Sequence, residues 1–325
     1  MDELPASDAV VTTRGLSRRF GRLVAVDGLS LTVRRGELFG FLGPNGAGKT
    51  TTIRMLLGLI EPSAGTIELF GRPLARARLE LLAQVGALVE EPAFYPWLSG
   101  RANLEVFGLL CGGVGRARID ELLELVGLRE RAGDPVRVYS QGMRQRLGIA
   151  QALLARPRLV FLDEPTNGLD PPGIEHVRGL LQRLVREQGL TVFLSSHLLH
   201  EVELLCDRVA ILDRGRLLVQ GEVAQLLGGE AVRLELEVDA PERARELLAA
   251  AGHPVLPAAG RPGRLVVRCP RTEVAALNRA LVGAGLEVRA LIPRQPTLEE
   301  FFREQLGVGP GAPALRCGAP EGDRA

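Results

Sequence analysis

The chain has few aromatic residues, few cysteines and no long apolar run. Aromatics fill 4% of its 325 positions, with one Trp, two Tyr and ten Phe. Its four cysteines, Cys111, Cys206, Cys269 and Cys317, are scattered without a C-x-x-C pair. That spacing supplies neither a zinc ligand set nor a disulfide framework, and it fits a reducing compartment. No stretch approaches the roughly 18 consecutive apolar residues of a membrane-spanning helix. The start, Met1-Asp2-Glu3-Leu4-Pro5, is acidic and lacks a signal-peptide core, so a cytosolic location is expected. Net charge is also nearly absent: 40 basic against 39 acidic side chains leave +1. The chain therefore carries no basic footprint for nucleic acid or anionic lipid. The most uneven deficit is lysine, since Lys49 is the single lysine among the 40 basic residues.

What remains is ordinary in composition. At 46% hydrophobic and 24% charged, the chain is expected to fold as about two globular domains. The one lysine lies in Gly43-Pro44-Asn45-Gly46-Ala47-Gly48-Lys49-Thr50-Thr51, a G-x-x-x-x-G-K-T segment. The apolar run Leu38–Leu42 precedes it and the helical pattern Thr52–Leu57 follows. Strand, glycine-rich loop and helix in that order make a phosphate-binding loop, with backbone N–H groups turned inward at a helix N-terminus. Lys49 offers a compact charge to β- and γ-phosphates, which a planar guanidinium fits poorly. Thr50 offers a hydroxyl to Mg²⁺. A mononucleotide, with Mg²⁺, is the expected ligand.

Further on, Leu159-Val160-Phe161-Leu162-Asp163-Glu164 reads as a buried parallel strand ending in two acids. Ligands in such sheets gather at the carboxyl ends of the strands. Asp163 is placed to hold the Mg²⁺ shell and Glu164 to orient or deprotonate the attacking water. Ser140-Gln141-Gly142 opens another helix, where a hydroxyl and a positive helix end suit a γ-phosphate. Considered alone, the same serine is a helix N-cap.

With these segments together, the chain resembles the nucleotide-binding subunit of an ABC transporter over about residues 1–225. Tyr139–Met143 matches that family's signature motif, and Gly168-Leu169-Asp170 matches the loop after the acidic strand. His197, after Thr191–Ser196, matches the switch histidine, and Phe20 takes the place of the aromatic residue that stacks on adenine. The resemblance implies an α/β P-loop domain of ABC type, a mostly parallel sheet with a helical subdomain. It also implies an ATP-hydrolysing subunit that pairs with a second copy and docks on a separately encoded membrane permease at the cytoplasmic face. In that arrangement Ser140 and Gly142 of one copy close over Lys49 of the other.

The family usually places a metal-touching glutamine between the phosphate loop and the signature. Alignment on Val85-Gly86 puts Glu90 there; the alternative is a solvated loop acid at Glu90, with Gln84 or another group substituting. An acid at that point resembles the exporter branch linked to bacitracin, lantibiotic-type and multidrug export, and a carboxylate can ligate Mg²⁺. Phe94-Tyr95-Pro96-Trp97 concentrates aromatics where the family docks its permease, with core packing as the competing reading.

The boundary is expected at Gly228-Gly229, giving domains of 1–228 and 229–306 and a disordered Gly/Pro/Ala-rich tail at 307–325. After the boundary, the alternation in Val232–Val238 and the elements behind it follow a β-α-β-β-α-β order, a small α+β ferredoxin-like domain. Thr297-Leu298-Glu299-Glu300 is a capping box for a last helix. Two other function classes are weighed. An ABC ATPase acting on ribosomes or DNA is disfavoured by the single nucleotide module and the neutral charge. A non-hydrolysing regulatory subunit is disfavoured by the presence of Lys49, Glu164 and His197.

Overall fold

A computed structural model describes residues 8–228, 231–253, 255–256 and 264–305. The expected disordered tail at 307–325 lies outside the described residues. Contacts divide the chain into two compact units, Met1–Gln220 and Gly221–Ala325. The division falls ahead of the expected Gly228-Gly229 turn because a short helix just before that turn packs against the last helix of the second unit.

The first unit opens with β1 (Ala9–Phe20) and β2 (Leu23–Arg34), an antiparallel pair. Then come β3 (Leu38–Leu42), α1 (Lys49–Leu56), β4 (Ala64–Leu69), β5 (Arg72–Pro73), α2 (Leu74–Leu82) and β6 (Val85–Leu88). The helices α3 (Gly100–Leu110), α4 (Arg116–Leu125) and α5 (Gln141–Ala152) form the helical portion. The chain returns through β7 (Leu159–Asp163), α6 (Pro171–Gln188), β8 (Thr191–Ser196), α7 (Leu199–Leu205), β9 (Arg208–Asp213) and β10 (Arg216–Glu222).

Two sheets result. One is β2-β1-β4-β5, and the other is six-stranded in the order β10-β9-β3-β8-β7-β6. Within the second, β9, β3, β8, β7 and β6 run parallel to one another. Strands β3, β7 and β8 are buried at every position, which explains the apolar runs Leu38–Leu42, Leu159–Leu162 and Val192–Leu194. Phe193 is the hub of the core: its ring centroid lies 5.5, 5.1 and 5.2 Å from those of Phe39, Phe41 and Phe161. Four of the ten Phe residues are thus spent on making the central strands rigid.

The second unit begins with the end of β10 and α8 (Val223–Leu226). It continues through β11 (Ala231–Val238), α9 (Pro241–Ala250), β12 (Val255–Leu256), β13 (Arg264–Pro270), α10 (Val274–Gly283), β14 (Val288–Arg294) and α11 (Leu298–Gln305). The sheet order is β12-β13-β11-β14, all antiparallel, so β13 inserts between β11 and β12 as in a ferredoxin-like split βαβ unit. Val232, Leu234, Leu236 and Val238 of β11 pack with Leu248 of α9 and Leu281 of α10 in a separate core. At α11, the Glu300 N–H donates to Thr297 Oγ1 at 3.2 Å and the Thr297 N–H to Glu300 Oε2 at 3.4 Å, a reciprocal capping box. Among the described residues no helix is long and apolar enough to cross a membrane.

Candidate active site

Sheet order makes the site. Strand β8 lies between β3 and β7, so three carboxyl ends meet: Leu42 is in register with Ser196, and Asp163 with Ser195. The first end leads into the 43–51 loop, the second is Asp163-Glu164, and the third runs into His197. Segments more than 100 residues apart therefore share one edge, where parallel sheets place their ligands.

The loop's geometry accounts for its glycines at one position in particular. Gly48 caps α1 at φ +103°, and a Cβ there would stand 2.4 Å from the Ala25 carbonyl oxygen. Only glycine accepts both the conformation and the clearance. The turn is closed by the Ala47 N–H donating to Pro44 O at 3.1 Å, and Ala47 O accepts the Gly215 N–H at 3.0 Å. Lys49 is 6% exposed. Its Nζ donates to Gly43 O at 2.8 Å and to Pro44 O at 3.4 Å, and pairs with Glu164 Oε1 at 3.2 Å.

Glu164 is held from both sides, because its Oε2 meets His197 Nδ1 at 2.7 Å. Facing a carboxylate, Nδ1 is the nitrogen that carries the hydrogen. The Glu164 backbone sits at φ +49°, a left-handed conformation that costs a non-glycine residue about 1–3 kcal/mol. Its N–H donates to both Ser195 Oγ (3.0 Å) and Ser195 O (3.2 Å).

Thr50 Oγ1 donates to Asp163 Oδ2 at 2.8 Å, and Asp163 Oδ1 accepts from Ser195 Oγ. A hydroxyl and a carboxylate oxygen at the mouth of a phosphate loop are the hard, sparse donor set that Mg²⁺ takes when phosphates and water complete its shell. Among the described residues no group of three or more His, Cys, Asp or Glu forms a cage for a metal on its own. The donors present thus fit an ion delivered with a phosphate ligand.

Other expected residues lie apart from this cluster. Ser140 caps α5, its Oγ accepting the Met143 N–H at 3.2 Å. Gln141 Nε2 donates to Asn167 O at 3.3 Å, and a Cβ on Gly142 would touch Leu169 at 3.7 Å. Ser140–Gly142 therefore lean on the loop after the acid strand, while the polar partners of Lys49 are Gly43, Pro44 and Glu164. Just before them, Tyr139 is buried with Oη donating to Arg131 O at 2.7 Å; burial raises its pKa and keeps the phenol a neutral donor. Phe20 ends β1 at 44% exposure, with the Arg18 guanidinium 4.6 Å from its ring centroid.

Glu90 stands beyond the carboxyl end of β6 at φ +65°, with its carboxylate paired to Arg54. Arg54 lies one helical turn beyond Thr50 on α1, so Glu90 must give up that partner to reach a metal at Thr50. Gln84 is excluded as its substitute. It precedes β6, at the opposite end of the sheet, and its Oε1 accepts from Arg158 Nη1 at 2.9 Å.

The aromatic run divides in two. Phe94 packs edge-on to Phe107 at 6.1 Å, whereas Tyr95 and Trp97 are 45% and 69% exposed. A residue that the sequence analysis passes over holds this loop. Asn103 is fully buried; its Nδ2 donates to Tyr95 O, Leu98 O and Ser99 O, and its Oδ1 accepts the Tyr95 N–H at 2.8 Å. Ser195 was likewise missed, as no motif singles it out. A buried serine or asparagine in an apolar stretch is the only signal the sequence offers for either.

Residues 26–167 match the family model described as ABC transporter. The uncharacterized ABC transporter ATP-binding protein YhcH of Bacillus subtilis is 41% identical over 298 residues, covering 92% of this chain and 96% of that protein. The bacitracin transport ATP-binding protein BcrA of Bacillus licheniformis is 39% identical over 300 residues, covering 92% and 98%. The daunorubicin resistance ATP-binding protein DrrA3 of Streptomyces coeruleorubidus is 38% identical over 314 residues, covering 93% and 97%. Among solved structures, an ATP binding subunit of an ABC transporter superposes with a TM-score of 0.59 at 31% identity, over 67% of this chain and 91% of that one.

Proposed function

This chain belongs to the ABC transporter family as an ATP-hydrolysing, ATP-binding subunit, and from that premise we propose that two copies close around two ATP molecules beneath a separate membrane permease to drive antibiotic export. The observation that carries the closure is the separation within one chain. The phosphate loop, Asp163, Glu164 and His197 meet at one sheet edge, and Ser140–Gly142 open α5 against the loop at Asn167–Leu169. A second copy would bring its own α5 N-terminus to this edge, offering the Ser140 hydroxyl and the positive helix end to a γ-phosphate.

The reaction follows from the contacts. Lys49 exchanges Gly43 O and Glu164 for the β- and γ-phosphates, offsetting their charge as it builds in the transition state. Thr50 and Asp163 would hold Mg²⁺, which would supply neutralisation of phosphate charge. Glu164, released from Lys49, accepts a hydrogen bond from the attacking water and takes its proton. His197 keeps the Glu164 carboxylate aimed. Phe20 offers a ring face to adenine. Glu90, released from Arg54, would add a carboxylate to the residues that hold the ion.

The antibiotic cargo rests on relatives named for bacitracin transport and for daunorubicin and linearmycin resistance. Permease docking rests on the exposed Tyr95 and Trp97, anchored by Asn103. Exposed aromatics on a rigid loop are favoured anchors in interfaces. Trp97→Ala is expected to weaken capture by the permease about tenfold or more, as hot-spot truncations do, while ATP turnover of the isolated chain stays at the wild-type value. Detergent pull-down alongside a phosphate-release assay tests this; equal capture of the two proteins would remove the loop from the interface.

A further inference from the structure

Ser195 belongs to none of the motifs that identify the site, yet it touches both acids. It is fully buried in β8, between the strand feeding the phosphate loop and the strand ending in the acids. A serine hydroxyl has one hydrogen and two lone pairs. Here the hydrogen goes to Asp163 Oδ1, and a lone pair takes the Glu164 N–H at 3.0 Å. Two consequences follow. Asp163 cannot rotate freely, so Oδ2, the oxygen already facing Thr50 Oγ1 at 2.8 Å, is the one presented to a metal. The Glu164 backbone is also pinned at φ +49°, the turn that sends its carboxylate to Lys49 and His197.

We propose that Ser195 is a positioning residue for ATP hydrolysis: a single hydroxyl that orients the metal-binding oxygen of Asp163 and fixes the backbone turn of Glu164. This rests on the roles given above to Asp163 and Glu164. Alanine fills nearly the same volume in the buried strand, so Ser195→Ala removes the two hydrogen bonds while leaving the packing intact. Asp163 Oδ1 then loses its donor, and the Glu164 N–H keeps only the longer bond to Ser195 O. Ser195→Thr keeps the hydroxyl.

The test uses the full chain with a non-hydrolysable ATP analogue, titrated by calorimetry in EDTA and in Mg²⁺, together with steady-state turnover and thermal melting. For Ser195→Ala, affinity in EDTA stays at the wild-type value, and the melting midpoint falls by only a few degrees as the buried Asp163 Oδ1 loses its donor. The gain in affinity that Mg²⁺ confers shrinks about tenfold, the loss of one charge-assisted contact. The kcat falls about 10²-fold because the general base is misaimed, and KM for MgATP rises about tenfold with the weakened Mg²⁺-dependent binding. Ser195→Thr recovers most of both. Wild-type Mg²⁺ gain and kcat in Ser195→Ala would overturn the proposal, as would equal losses of affinity with and without Mg²⁺. Glu164→Gln in the same assay keeps the two readings apart. If that variant still turned over, the assignment of the base would fail. If it were inactive while Ser195→Ala matched wild type, only the positioning role would fail.

Discussion

Replacing Glu164 by Gln is expected to lower ATP turnover about 10²–10⁴-fold, the range for losing a positioned general base. The substitution keeps the shape of the side chain and one oxygen that can face His197 Nδ1, now 2.7 Å from Oε2. It removes the charge that takes a proton from water. It also removes the Lys49 ion pair at 3.2 Å, with which phosphate oxygens would have to compete. Nucleotide affinity should therefore be equal to or greater than wild type, and the slow step should become the chemical one. Phosphate release at saturating MgATP, with binding of a non-hydrolysable analogue measured in parallel, separates the two effects. A fall in affinity matching the fall in turnover would show that Glu164 serves the fold of the site instead of the reaction.

Lys49→Ala is expected to act on binding. Its buried ammonium has three hydrogens, directed at Gly43 O, Pro44 O and Glu164 Oε1. Those partners mark where phosphate oxygens must compete. Losing two charge-assisted contacts of about 1.5–3 kcal/mol each corresponds to an affinity loss of about 10²–10⁴-fold. Lys49→Arg should restore little, because the planar fork does not fit a pocket shaped around a compact charge. Calorimetric titration with the ATP analogue reads both variants. An arginine variant that bound like wild type would mean that charge alone, without shape, serves the loop.

The local parts of this site were legible in the sequence and the long-range parts were not. The 43–51 loop is a contiguous device: its glycines, its lysine and its flanking strand and helix all lie within a few residues, and Gly48 meets the conformational demand that its spacing implies. The acid pair was equally local, since an apolar strand ending in Asp163-Glu164 announces its own polarity. The β-α-β-β-α-β order of the second unit could also be read, because each element carries its own period. Strand order could not. That β8 lies between β3 and β7, in register with both, follows from pairing over long separations, and so Ser195 went unnoticed although it joins the two acids. Glu90 illustrates the same limit: alignment found its place past β6, and only the fold supplies Arg54 as its partner. The aromatic run was read as one feature, whereas a single chain turn sends Phe94 inward and Trp97 outward.

Shared sites between two copies are the centre of the account. Glu164→Gln run on size-exclusion chromatography with light scattering, with and without MgATP, tests them most directly. The expected result is a monomer without nucleotide and a dimer with MgATP, the shift being lost when Ser140 and Gly142 are also replaced. A chain that binds MgATP and stays monomeric, alone and with its permease present, would contradict it.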